Sequence, residues 1–445
     1  MQSSPASLRR TIFHLAWPVI LANFLQTFTT TVDIFMVGRL GPIAVAALGL
    51  GSQILFLAFS SVIALSAGTV AVVARHIGAG EPEVSGHALK ESLLIGVLLS
   101  IPVTLLGMGF SEPILRIFRP EEAVVEAGSI YVGTVFLGMP FLFLSFLSAA
   151  ALRGAGDTKT PLYVGGVVNV VNFVVNYTLI FGNFGFPALG VQGAAVGTAT
   201  SYAVGFLLYL NLFIGGRRVL RLRAPGKLLD GEMIRRILRI GYPAALEQVV
   251  LQIGFTVWIF FIVGFGTSAL AAHQIGARIQ FLIFLPGLGY AMAATTLVGQ
   301  NLGANDPLQA ERSGREAVKL AVLTTGALSV ITFVLAEHLA RLFIEDEGVV
   351  TLAATWIRLY SIGIPAFGLF FTTGGALRGA GDTKWPLYTS ATGLLAIRLP
   401  LSYVLGYLTP LALIGVWISM VVEYYVRSVV ITLRFRSGAW KGISV

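Results

Sequence analysis

Apolar runs of about twenty residues or more, divided by short polar breaks, recur from residue 12 to residue 433 and set the reading of the whole chain. Each run is long enough to cross a hydrocarbon core of about 30 Å as a helix. Taken between breaks, they predict twelve helices over residues 12–38, 43–74, 88–110, 124–151, 160–182, 187–215, 237–263, 267–298, 317–336, 349–375, 386–406 and 411–433. No stretch is left over for a soluble domain. The first run, Ile12 to Val32, is too long for the apolar part of a signal peptide and lacks a small-residue cleavage site, so it reads as the first membrane helix.

The pattern also repeats. Ala151–Tyr163 reads ALRGAGDTKTPLY and Ala376–Tyr388 reads ALRGAGDTKWPLY, identical at 12 of 13 positions at an offset of 225. The same offset pairs Pro18 with Pro243, Gly41 with Gly266, Gly51 with Gly276, Gly78 with Gly303 and Pro82 with Pro307. Each copy holds six predicted helices, an even number, so both enter the membrane in the same direction. The expected fold is an all-α integral membrane protein of twelve transmembrane helices in two parallel six-helix repeats, with a pseudo-twofold axis along the membrane normal. Residues 1–215 form the first lobe, 216–239 a basic cytoplasmic linker and 240–445 the second lobe.

Composition agrees: 56% of the 445 residues are hydrophobic, 11% are charged and the mean hydropathy is +0.84. A net charge of +9 raises the question of nucleic acid, and its placement answers it. Of 27 loop lysines and arginines, 23 fall on one side of the predicted helices, so the positive-inside rule puts both termini and the linker in the cytoplasm, with the linker resting on anionic lipid. The absence of cysteine excludes thiol nucleophiles and thiolate metal sites, and five scattered histidines, none spaced i, i+4, give no zinc or haem site. No cofactor is expected.

Within the apolar runs an ionisable group costs at least ~2.5–3.5 kcal/mol and needs a partner or a function. The acids there are Asp33, Glu247 and Glu423; the bases are Arg278 and Arg398, with Arg358 near a helix start. Arg398 and Glu423 lie at similar depth and are expected to form a structural ion pair, with a local Glu423–Arg427 pair as the rival. Asp33 has no base nearby except Arg39 at the outer interface. An unpaired, desolvated carboxylate can hold a proton near neutral pH or serve as a hard oxygen ligand for Na⁺. Gln26 lies two turns before it, Asn172 and Asn176 are i, i+4 on the fifth predicted helix, and Thr198 lies on the sixth; these four are expected to share a polar pocket with Asp33. Glu247, with Gln248 and Gln252 nearby and Pro243 freeing backbone carbonyls, reads either as a second cation or substrate site or as a charge-paired structural residue. The doubled LRGAGDTK is no phosphate loop; it reads as a tight turn with its Arg and Lys in the headgroup layer.

The doubled LRGAGDTK turns, VDIFMVGRLG of the first helix, AHQIGARIQFLIFLPG of the eighth and the C-terminal RFRSGAWK resemble the multidrug and toxic compound extrusion (MATE) family over essentially the whole chain. The resemblance implies a two-lobed antiporter that exports organic compounds in exchange for H⁺ or Na⁺. It matches Asp33 to the family's first-helix aspartate, and Gln26, Asn172 and Thr198 to polar residues of the N-lobe cation pocket in the DinF-like branch. Asn176 stands where that branch can carry a second aspartate. The NorM-like branch uses C-lobe acids instead; here Glu247 comes one turn earlier than the usual glutamate, and Phe367 replaces an expected aspartate. The expected partners are small organic substrates and membrane lipids, with no nucleic acid, for a monomer in the inner (cytoplasmic) membrane. A flippase of lipid-linked precursors is the alternative, and no Ser/His pair or catalytic dyad supports an enzyme.

Overall fold

A computed structural model describes residues 5–215, 220–222, 229–443 and 445. Its elements are helical: α1 (Pro5–Gly38), α2 (Pro42–Gly78), α3 (Pro82–Ile117), α4 (Glu122–Leu137), α5 (Met139–Gly154), α6 (Lys159–Phe181), α7 (Val191–Ile214), α8 (Gly231–Val263), α9 (Thr267–Gly303), α10 (Pro307–Val334), α11 (Ala336–Arg341), α12 (Glu347–Gly379), α13 (Lys384–Ala391), α14 (Leu399–Tyr407) and α15 (Ala412–Arg436). Ten are single helices long and apolar enough to cross a membrane, and α4 with α5 makes an eleventh if that bent pair is one span. The expected span 386–406 is the unbroken run α13, a π-helical turn Thr392–Arg398, and α14, no part of which is long enough alone.

The helices extend beyond their apolar runs because capping and headgroup-level residues continue them. Expected to start at residue 317, α10 begins at Pro307, where Asp306 accepts from Gln309 N at 2.8 Å. Likewise α8 begins at Gly231, so residues 231–239 of the expected linker are helix. Arg217, Arg218, Arg223 and Lys227 of that linker lie outside the described residues.

The predicted span 124–151 is broken between α4 and α5 by a bend of 51°. Pro140 has no N–H for the Phe136 carbonyl, and Thr104 Oγ1 donates to that carbonyl instead, at 3.1 Å. At the equivalent place in α12, Pro365 leaves the Ser361 carbonyl free and Ser329, the counterpart of Thr104, donates to it. The same repair serves both copies, although α12 is unbroken.

The 225-residue offset holds for most helix boundaries: α2 and α9 start and end at equivalent residues. Gly156 and Gly381, in the two RGAGDTK turns, take φ of 86° and 87°, a region favouring glycine. The one mismatch between the 13-residue copies changes the turn. In the first, Asp157 caps α6 by accepting from Thr160 N at 2.9 Å; in the second, Trp385 replaces Thr160, and Asp382 accepts from Arg434 Nε at 2.9 Å while Arg434 lies over the Trp385 ring. The last helix of each copy departs from the offset because the connection 182–190 shrinks to 408–411.

By internal contacts the chain divides into residues 21–241 and residues 1–20 with 242–445, so one division runs through α1 and the other falls in α8, two residues after the start expected for the second lobe. Leu8, Ile12 and Ala16 of α1 pack with Tyr290, Ala293, Ala294 and Val298 of α9, which assigns the start of α1 to the second unit. That unit's other core gathers Trp258, Trp356, Tyr360, Phe367, Trp417 and Tyr424.

Candidate functional site

Within residues 21–241, α1, α2, α4, α5, α6 and α7 surround a cavity of about 250 Å³. Gln26, Asp33, Asn172 and Thr198 all line it, together with Thr29, Thr30, Ser52, Asn169, Ser201 and the rings of Phe56, Phe59, Tyr131 and Tyr202. Asn176 stands behind the wall, nearly fully buried, and its Nδ2 donates to Asp33 Oδ1 at 2.7 Å and to Asn172 Oδ1 at 3.2 Å. The i, i+4 spacing of the two asparagines on α6 makes this shared donor possible. Asp33 is half-buried and, among the described residues, has no cationic partner. Arg39 turns away, its guanidinium 5.0 Å from the ring centre of Phe35.

The hydroxyls around Asp33 share one habit. Thr29 donates to Leu25 O, Thr30 to Gln26 O, Ser52 to Leu48 O, Thr198 to Ala194 O and Ser201 to Thr198 O. With each proton committed to its own helix, each oxygen can offer only lone pairs to the cavity. Among the described residues the pocket therefore has one carboxylate, five acceptor-only hydroxyls, the amides of Gln26, Asn169 and Asn172, and four aromatic rings of which two carry a phenol hydroxyl, with no lysine or arginine in its wall. No group of three or more His, Asp or Glu able to hold a metal occurs among the described residues, so a cation here meets one carboxylate and neutral oxygens.

Sequence reading did not single out Thr30, Ser201, Gly197 or the four rings. Thr30 and Ser201 had a signal, lying three residues from Asp33 and from Thr198, on the same faces. The rings had none, because aromatic residues occur on every side of these helices.

The two acids inside the apolar runs of the second unit, Glu247 and Glu423, are paired. Glu247 is buried and accepts from Arg378 Nη2 at 2.7 Å and from Ser390 Oγ at 2.8 Å. Arg378 belongs to the second LRGAGDTK copy, so that turn supplies the partner of this carboxylate. Gln248 and Gln252 are half-buried and make no side-chain hydrogen bond among the described residues. The two pairings considered for Glu423 both occur: Arg398 Nη2 donates to its Oε2 at 2.7 Å and Arg427 Nη1 to its Oε1 at 2.8 Å. Arg427 Nη2 continues to Ser390 Oγ at 2.6 Å, joining Glu423 to Glu247 in one network of three arginines and two carboxylates.

The MatE family model matches the chain twice, over residues 18–178 and 243–404, with starts separated by the same 225 residues as the sequence repeat. A probable multidrug resistance protein NorM from Thermotoga maritima is 31% identical over 437 residues, covering 98% of this chain and 93% of its own length. A protein of the same description from Bradyrhizobium diazoefficiens is also 31% identical, covering 95% of this chain and 92% of its own length. Among solved structures, a MOP superfamily transporter from Pyrococcus furiosus superposes with a TM-score of 0.90 at 23% identity, over 97% of this chain and 95% of that one.

Proposed function

The chain belongs to the MatE family, and on that premise we propose that it is a secondary active antiporter, exporting organic cationic or amphipathic compounds in exchange for H⁺ or Na⁺ at Asp33. What supports this reading is the lining of the Asp33 pocket: one carboxylate with, among the described residues, no basic partner, beside five hydroxyl oxygens whose own protons are already committed. Such a lining attracts a cation and disfavours an anion. The rings of Phe56, Phe59, Tyr131 and Tyr202 add faces that suit an organic cation or an apolar body. The coupling cation and the exported compound then compete for one pocket. Each elementary charge moving inward contributes about 2.3 kcal/mol per 100 mV, roughly a fifty-fold accumulation ratio for a neutral substrate. The Thermotoga maritima relative is described as a probable multidrug resistance protein and the Pyrococcus furiosus neighbour as a transporter, which supports transport over catalysis. A flippase reading would call for basic residues in this wall, and the wall has none.

The test is efflux of a fluorescent organic cation from proteoliposomes under an imposed pH or Na⁺ gradient. Export should follow one of the two gradients and stop in Asp33→Asn; export indifferent to both would remove the antiport reading. We also place both termini on the cytoplasmic side of the inner membrane, on the strength of the loop bases. In this cysteine-free chain, Asn183→Cys should react with an impermeant thiol reagent applied to intact cells. Labelling of Gly226→Cys instead, a position outside the described residues, would invert the topology.

A further inference from the structure

The duplication allows positions of the Asp33 pocket to be followed into the second unit. At the offset of 225, Thr30 corresponds to Phe255 and Asp33 to Trp258; after the shortened connection the offset is 222, so Ser201 corresponds to Glu423 and Tyr202 to Tyr424. Gly193 and Gly415 fix this second register, because each faces the backbone of the preceding helix at matching places, Leu179–Ile180 and Leu405, the counterpart of Ile180.

In the first unit the four positions line an open cavity. In the second they surround the guanidinium of Arg398. Its Cζ lies 5.2 Å from the ring centre of Phe255, 4.8 Å from Trp258 and 5.1 Å from Tyr424, and its Nη2 bonds to Glu423. Arg398 is fully buried, and its Nε and Nη1 have no acceptor among the described residues, so the ring faces supply the remaining electrostatic stabilisation. It stands at the counterpart of Phe173, on the helix that gives the first pocket Asn169 and Asn172.

We propose that the second half retains the counterpart of the cation pocket and that the side chain of Arg398 fills it as a tethered cation. This rests on the reading of the Asp33 pocket as a cation site. The carboxylate has moved from the position of Asp33 to that of Ser201, and Trp258 presents a ring where the first half presents the charge. A guanidinium is charged at every accessible pH and here is covalently held, so this pocket cannot release its occupant. The network of three arginines and two carboxylates carries the single net positive charge of a filled site. One exchangeable cation per cycle remains, at Asp33. Emptied of its side chain, the second pocket takes a planar organic cation of guanidinium size.

The experiment empties it. In an Asp33→Asn background, which silences the first pocket, thermal unfolding of Arg398→Ala is compared with that of the background alone, in methylguanidinium and in the neutral isostere N-methylurea. At a ligand concentration about ten times its Kd, methylguanidinium should shift the folding equilibrium of the Arg398→Ala protein about tenfold, with no shift in the background and none from N-methylurea. Equal responses of the two proteins, or none from either, would overturn the proposal. If Arg398→Ala does not fold, the coupling ratio of the unmutated protein decides, from the reversal potential of transport in proteoliposomes: one cation per cycle is expected, and two would overturn it. Ion-driven export surviving in Asp33→Asn alone would instead remove Asp33 as the coupling site, while the methylguanidinium comparison still decided the role of Arg398.

Discussion

Gly197 of α7 lies so close to Asn176 of α6 that a Cβ added to it would stand 1.9 Å from the amide Oδ1. That amide's Nδ2 holds Asp33, so a residue with no side chain sets the geometry of the carboxylate from a neighbouring helix. Gly197→Ala should displace Asn176, lower ion-driven efflux and destabilise the protein by about 1–3 kcal/mol, the usual cost of overpacking. Gly165→Ala, where a Cβ meets nothing within 4 Å, is the control and should leave efflux unchanged. Equal efflux in the two variants would show that Asp33 does not depend on this contact.

Asp33→Asn and Glu247→Gln should fail in different ways. The first preserves shape and removes a charge that has no ionic partner, so export should be lost with the melting temperature near wild type. The second leaves Arg378 without its carboxylate; breaking such a buried pair costs about 3–5 kcal/mol, and the partial exposure of Arg378 favours the lower end. Full transport by Asp33→Asn, with loss in Glu247→Gln at unchanged stability, would move the coupling site to the second half.

Thr104 and Pro140 form a testable pair through the Phe136 carbonyl. Thr104→Val keeps the shape and leaves that carbonyl unsatisfied, at a cost of about 1–3 kcal/mol. Adding Pro140→Ala restores a backbone N–H four residues after Phe136 and should recover most of the loss. Additive destabilisation in the double variant, measured by denaturant unfolding, would show that the hydroxyl does not serve the proline break.

Asp230 precedes α8 and accepts from Glu232 N at 3.0 Å, Met233 N at 3.2 Å and His87 Nε2 at 3.1 Å. The Met233 N–H, followed by the His87 bond, holds its carboxyl below the ordinary value of 3.8. A depressed value means that the fold favours the charged form. Its contribution is therefore complete above that ordinary value and is lost as pH falls through the lower value in the folded protein. Asp230→Asn keeps an α8 cap and removes the titration, so the acid limb of a stability–pH curve should be flatter than in wild type. Parallel limbs would assign that acid loss to other carboxylates.

The sequence by itself determined the helices, the duplication and the identity of the few charged residues inside the membrane. Those are one-dimensional properties: an apolar run must hydrogen-bond within itself in lipid, and a repeat shows as an offset. It also brought Gln26, Asn172 and Thr198 to the cavity wall with Asp33, since helical spacing aligned Gln26 with Asp33 on α1 and the family resemblance matched Asn172 and Thr198 to the same pocket. Tertiary structure alone decided which groups meet. Helices that are apolar all round carry no moment to say which side faces a neighbour. Glu247 and Arg378 are thus paired across 131 residues, and Glu423 takes two arginines at once. Gly138–Met139–Pro140 bends one copy while Gly363–Ile364–Pro365 leaves the other unbroken, so the same local signal has two outcomes. The contrast between Asp33 and Trp258 is of the same kind: composition shows an acid replaced by a ring, and only packing puts Arg398 over that ring, because a buried guanidinium must find its carboxylate and its aromatic faces in three dimensions.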